Sequence, residues 1–204
     1  MFKFLSHVVW VCHCMLLTTG AMASPQSPTT GQPWVPVLQN KFTPGAEGLG
    51  GRYGKFGSAI AIDGNRALVG GEGMSGYGAV LVYEHDGDDW QHTGSLMPSE
   101  RVLDEKFGHS VALSGDFAVI GVQPEDPTKP GFAYVFKHDG QSWHQHQVIK
   151  PTSDTNSSFG QSVSIDGFNL VVGAPENTEN GVAKGSVHVF KKTLGQWTEV
   201  QQIV

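Results

Sequence analysis

Two imidazoles stand one residue apart in His144-Gln145-His146, with His138 just upstream. On an extended strand, positions i and i+2 share a face, so the pair is the start of a transition-metal site. Zinc asks for a third and a fourth ligand at fixed geometry, and the neighbouring sequence supplies none, so the three read as polar surface histidines on an outer strand. A second set is oxygen-rich. Glu176, Asn177, Glu179 and Asn180 fall within five residues, and Glu125-Asp126 holds a corresponding place fifty residues earlier. These are the donors a calcium ion would draw on, but calcium wants six or more oxygens, and an acidic loop is as a rule a solvated turn. No G-x-S-x-G, H-E-x-x-H or Gly-rich phosphate loop occurs in a suitable context. The expectation is no catalytic residue, no organic cofactor and no resident metal.

The elements that carry these residues recur. Phe-Gly appears at Phe56-Gly57, Phe107-Gly108 and Phe159-Gly160, and a tryptophan closes each unit at Trp90, Trp143 and Trp197. A period near fifty residues marks one supersecondary unit used repeatedly. Within the unit the apolar period is two. Ser58-Ala59-Ile60-Ala61-Ile62 and Gln161-Ser162-Val163-Ser164-Ile165 alternate as half-buried strands do. After Asp63-Gly64, Ser114-Gly115 or Asp166-Gly167 comes an apolar run ending in Gly70, Gly121 or Gly173, which suits a strand buried on both faces. A third strand ends at Tyr83, Phe136 or Phe190, and the tryptophan strand is the fourth. Four short antiparallel strands per repeat with almost no helix signal predict an all-β array of propeller blades, three of them visible.

Tyr83 to Trp90, Phe136 to Trp143 and Phe190 to Trp197 are each seven residues apart. In the first two spans the midpoint falls in Asp86-Gly87 and Asp139-Gly140. That predicts two-residue type I′ turns, with each Tyr or Phe directly opposite its Trp. The third span carries Thr193-Leu194-Gly195 and predicts a longer loop with Gly195 in the left-handed position. Length variation collects between the second and third strands. Insertions gathered on one face mark the binding side of a repeat protein, and they make Tyr77, Glu125, Asp126, Glu176 and Asn177 the binding-face candidates.

The 204 residues hold 13 basic and 19 acidic side chains. Lys3, an apolar run to Leu17 and Ala21-Met22-Ala23 before Ser24 read as a signal peptide over 1–23, too short and wrongly flanked for a membrane span. Both cysteines, Cys12 and Cys14, lie within it, so the mature chain must rely on an apolar core rather than disulfides. Loss of Lys3 leaves 12 bases against 19 acids, a net charge of −7. That balance argues against nucleic acid and anionic membranes as partners. Residues 24–33 read as a flexible leader and 34–55 as a lone outer strand around Trp34 plus a Gly-rich connector. Blades follow at 56–106, 107–158 and 159–204. Asn156-Ser157-Ser158 is a glycosylation acceptor in a eukaryotic setting.

Phe159-Gly160 through Asp166-Gly167, followed by Val171-Val172-Gly173-Ala174-Pro175, resembles the FG-GAP repeat known from integrin alpha-chain propellers and many secreted proteins. The resemblance covers residues 56–204. It loosens where Gly-Ala-Pro becomes Gly70-Gly71-Glu72 and Gly121-Val122-Gln123. A kelch-type propeller would carry a Gly-Gly doublet in each repeat, present here only at Gly70-Gly71. The resemblance implies an extracellular, secreted protein, in the periplasm or at the cell surface if bacterial. It also implies a non-enzymatic binding or adhesion-like role toward an extracellular protein. A carbohydrate-binding or enzyme-accessory propeller meeting a glycan, and a purely structural extracellular protein, are the other readings. Three blades cannot close a ring, and the third already owns its fourth strand. The array reads as an incomplete propeller, either part of a longer one or a fan whose unpaired blade edges associate with a partner or another copy.

Overall fold

The opening Phe-Gly is a turn before it is a strand. In all three repeats the N–H of the residue after the glycine donates to the carbonyl three residues back: Ser58 to Lys55 at 3.0 Å, His109 to Lys106 at 3.2 Å and Gln161 to Ser158 at 3.1 Å. Gly57, Gly108 and Gly160 each sit at φ +88. A hydrogen-bonded turn with positive φ at its third residue is type II, and that position calls for glycine. Phenylalanine fills the second position, with the rings of Phe107 and Phe159 fully buried and that of Phe56 half-buried, so the dipeptide is at once a bend and an anchor.

The computed structural model describes residues 54–100, 105–126, 129–151, 158–179 and 182–204. All of them belong to one compact unit, Asn40–Val204. The signal peptide, the leader, the Trp34 strand, Asn156 and Asn180 lie outside the described residues. The first blade is β1 Phe56–Asp63, β2 Arg66–Gly71, β3 Ala79–His85 and β4 Trp90–Leu96. The second is β5 Phe107–Ser114, β6 Phe117–Val122, β7 Phe132–His138 and β8 Trp143–Ile149. The third begins with β9 Ser162–Asp166 and β10 Asn169–Ala174. After a small loop hairpin, β11 Thr178–Glu179 and β12 Val182–Ala183, it is completed by β13 Ser186–Thr193 and β14 Gln196–Ile203. Each blade is a four-stranded antiparallel meander in chain order. The all-β blade array predicted from the period of two is therefore present, and among the described residues nothing closes it into a ring.

Blades stack face to face. Leu68, Val80, Val82 and Leu96 of the first meet Phe107, Val111, Leu113 and Ile120 of the second in one buried cluster. Val119, Val135 and Ile149 meet Phe159, Ile165, Leu170 and Val172 in the next. Each buried aliphatic or aromatic side chain contributes roughly 1.5–3 kcal/mol, so the joints hold most of the core energy.

The outer hairpins correct the predicted pairing. Trp90 stands opposite His85 and Trp143 opposite His138, while Tyr83 faces His92 and Phe136 faces Gln145. The loops are four residues long, not two. Asp86 Oδ1 accepts the N–H groups of Asp88 and Asp89, and Asp139 Oδ1 those of Gln141 and Ser142. An aspartate that caps its own loop mimics a backbone turn, and the Asp-Gly pair served that purpose rather than a type I′ bend. The third hairpin, expected to be the longest, is the tight one. Thr193 pairs with Gln196 around Leu194 and Gly195, whose φ values of +51 and +85 are those of a type I′ turn. Gly195 is left-handed, as expected.

Lys55, Lys106 and Ser158, each just before a Phe, hold φ of +44, +51 and +50. A non-glycine residue in that region costs roughly 1–2 kcal/mol. Lys106→Gly is expected to raise stability by up to about 1 kcal/mol, read as a higher urea midpoint with unchanged slope.

Candidate functional site

The connections between second and third strands, residues 72–78, 123–131 and 175–185, are seven, nine and eleven residues long. All first-to-second-strand connections are two residues. Variation thus gathers at the end of the array that also holds the Phe-Gly turns. Side chains tie loops to turns there. Glu72 bonds Lys55 Nζ through Oε1 and His109 Nδ1 through Oε2, both at 2.5 Å, so it links the first blade to the second. Burial pushes the Glu72 carboxyl up, but hydrogen bonds from Lys55 and His109 outweigh it and hold the group below its ordinary value. Two repeats on, the Ser158 hydroxyl donates to Glu176.

The predicted binding-face residues scatter along this end. Glu125, Asp126 and Glu176 are exposed, and Tyr77 is half-buried with its carbonyl accepting the Phe107 N–H at 3.1 Å. Asn177 does not present a surface. It is buried, its N–H donates to Ala174, and its carbonyl accepts from Lys184 and Gly185. Glu179 lies on β11, and Asn180 is undescribed. Among the described residues no three His, Cys, Asp or Glu side chains stand close enough to hold a metal ion.

The histidines are parted by their partners. His144 Nε2 meets Asp139 Oδ2 at 2.9 Å, and His146 Nε2 donates to the Gly195 carbonyl at 2.7 Å on the next blade. His138 is not a surface residue: it is buried, with Trp143 edge-on at 5.1 Å. Its Nδ1 receives Arg66 Nη2 at 3.2 Å and the Gly140 N–H at 3.1 Å, so that nitrogen is the bare one.

Sequence reading missed Arg66. From β2 it bonds Glu84 at 3.1 Å, crosses to Asp116 at 3.2 Å and lies 5.8 Å over the Trp143 ring. Phe117 holds the same place in the second blade and meets Trp197 edge-on at 6.0 Å. Trp143 and Trp197 therefore dock against the blade before them. A cleft of about 360 Å³ opens at the first of these contacts, lined by Arg66, Glu84, Ser95, Gln141, Ser142 and Trp143.

Ser186, His188 and Glu199 form the line nucleophile, base and orienting carboxylate: Ser186 Oγ to His188 Nε2 at 3.0 Å, His188 Nδ1 to Glu199 Oε1 at 2.8 Å. Serine and histidine are both buried, and Phe159 lies edge-on to the imidazole at 5.1 Å. This trio sits where the first blade has Ala79 and Leu81, and it satisfies a polar side chain placed between sheets.

Both the spacing and this geometry answer to one family profile. The FG-GAP repeat profile matches residues 90–136 and 143–190. The chain is an FG-GAP repeat protein. Each matched FG-GAP unit begins on the tryptophan strand of one blade and ends on the third strand of the next, one strand out of phase with the sheets. No curated protein matches the sequence. Among the described residues, no helix is long and apolar enough to cross a membrane.

The hairpin caps of these FG-GAP blades respond to acid. The Asp139 carboxyl is held far below its ordinary 3.8 by the N–H groups of Ser142 and Gln141, then by His144. A depressed carboxyl pKa stabilises the folded form above the ordinary value, and that contribution disappears as pH falls through the folded value. Amide shifts of Gln141 and Ser142 are expected to show no carboxyl step at pH 3.8 and to report Asp139 protonation only in stronger acid, which an NMR titration checks.

Proposed function

We propose that this FG-GAP module is secreted and non-enzymatic, and that it binds an extracellular protein, in an adhesion-like role, through the loops between second and third strands. One observation carries the reading. Those loops lengthen steadily from blade to blade while every first-to-second-strand turn stays at two residues, and they leave Glu125, Asp126 and Glu176 exposed. Variable loops on a rigid scaffold are where recognition is placed. Export is supported by Lys3, the apolar run and Ala21-Met22-Ala23, which would make Ser24 the first residue of the mature protein.

The test is capture of protein from extracellular fractions on the immobilised chain, compared with a Glu125→Lys/Asp126→Lys variant of unchanged melting temperature. Loss of captured protein in the variant supports the loop face, and equal capture sinks it. N-terminal sequencing of the exported chain checks cleavage before Ser24. A glycan reading has its own observation, the polar cleft with Trp143 on its wall. Glycan-array signal that disappears in Trp143→Ala but persists in the loop variant would favour it.

A further inference from the structure

Each blade-to-blade joint is built from the same short list of contacts. At the first, a methyl group on Gly70 would overlap the Gly108 carbonyl, and one on Gly78 would overlap the Phe107 carbonyl. At the second, Gly121 meets Gly160 and Gly131 meets Phe159 in the same way. These glycines exist so that the next Phe-Gly turn can lie backbone on backbone. One hydrogen bond recurs beside them. Asp63 Oδ2 accepts the Gly115 N–H at 2.6 Å and Ser114 Oγ accepts that of Gly167 at 3.1 Å. Ser110 Oγ also donates to the Gly160 carbonyl at 2.7 Å.

The third blade keeps every one of these parts, and among the described residues nothing is docked on them. Gly173 and Gly185 hold the two glycine positions, and no neighbouring blade approaches either: a methyl there would meet only the blade's own Ser162 and Pro175. Ser162 stands where Ser110 does, and Asp166 where Asp63 and Ser114 do. Val187 and Ile203 are 38% and 51% exposed, whereas their counterparts Ala133 and Ile149 are at most 3% exposed against a neighbour. A groove of about 710 Å³ runs between them.

The matching half lies on the first blade. A methyl group on Gly57 would meet nothing, and Gly64 holds the place from which Gly115 and Gly167 donate. Ile60 and Ile62 of β1 are 74% and 67% exposed, while Val111 and Leu113 at the same positions of β5 are 9% exposed against the blade before them.

We infer that the open face of the third blade docks the Phe56–Gly57 turn and β1 of a second copy of this chain. The joint repeats the two already within the chain, with Gly173 and Gly185 against the turn and Asp166 accepting from Gly64. It is a face-to-face contact of blades, not a pairing of strand edges. Because the two halves differ, the contact is head to tail, and it closes when the second copy returns its own open face to the first. Two copies of the three described blades make six, within the roughly four to eight that close a propeller.

Sedimentation equilibrium of the purified chain at concentrations up to about 100 µM tests this. The expected mass is that of two chains. Ile62→Glu and Val187→Glu should each weaken association about 30-fold or more by placing a charge at the centre of the contact. Both positions are exposed, so circular dichroism and melting should stay as in the parent. Ile62→Ser provides a milder variant with the same direction of effect. Mixing the two charge variants should give mixed dimers, since one keeps its open face intact and the other its leading strand. A parent that sediments as a monomer throughout this range overturns the inference, and so do variants that associate as the parent does.

Discussion

Gly121→Ala is expected to destabilise the fold by about 3 kcal/mol, while Gly173→Ala, the same substitution one blade later, costs under about 1 kcal/mol. At Gly121 the new methyl overlaps the carbonyl of Gly160 and the hydroxyl of Ser110. The carbonyl belongs to a type II turn pinned by Phe159 and cannot retreat without opening the joint. At Gly173 the methyl meets only the Ser162 hydroxyl, the end of a side chain with a free rotor. Urea unfolding in dilute solution compares the two. Equal losses would mean that the glycines serve strand conformation rather than blade docking.

Phe159→Ala is expected to cost about 3–5 kcal/mol, the range for emptying a fully buried aromatic site. The ring is completely buried, with edge contacts to His188 at 5.1 Å and to Phe190 at 6.4 Å. Its removal leaves a cavity between two sheets and strips the cover from the Ser186–His188–Glu199 line. Phe56→Ala makes the contrast. That ring is only half-buried, at the edge of the cluster that holds Val69, Met74, Leu81 and Tyr83, so a loss of about 1–2 kcal/mol is expected. Thermal unfolding of both variants measures the difference, and comparable losses would show that the two openers carry the same load.

The blade was legible because its signals are local. Alternation in Gln161–Ile165 and the continuous run at Ala67–Gly71 each report the burial of one strand, and glycines after Phe recur at a fixed spacing. Register in the outer hairpin was not legible. A seven-residue span from Tyr83 to Trp90 is the same whether the two face each other or not. What decides is that Asp86 caps four residues, which sets Trp90 opposite His85. The joints were hidden for another reason. Arg66 reaches Asp116 and Trp143 on the next sheet, and no pattern within one repeat records a contact between two. Asn177 looked like a surface ligand because asparagine in a polar loop usually is one, yet its backbone closes the longest loop from inside.

The meander order of the strands has a kinetic consequence. Within each blade every strand pairs only with the blade strand before or after it, so each sheet grows from hairpins that close loops of two to eleven residues. Short loops cost little closure entropy, and low sequence separation speeds folding even in an all-β chain. A blade can therefore complete itself as soon as its tryptophan strand has left the ribosome. The slower event left to such a protein is the meeting of one finished sheet with the next.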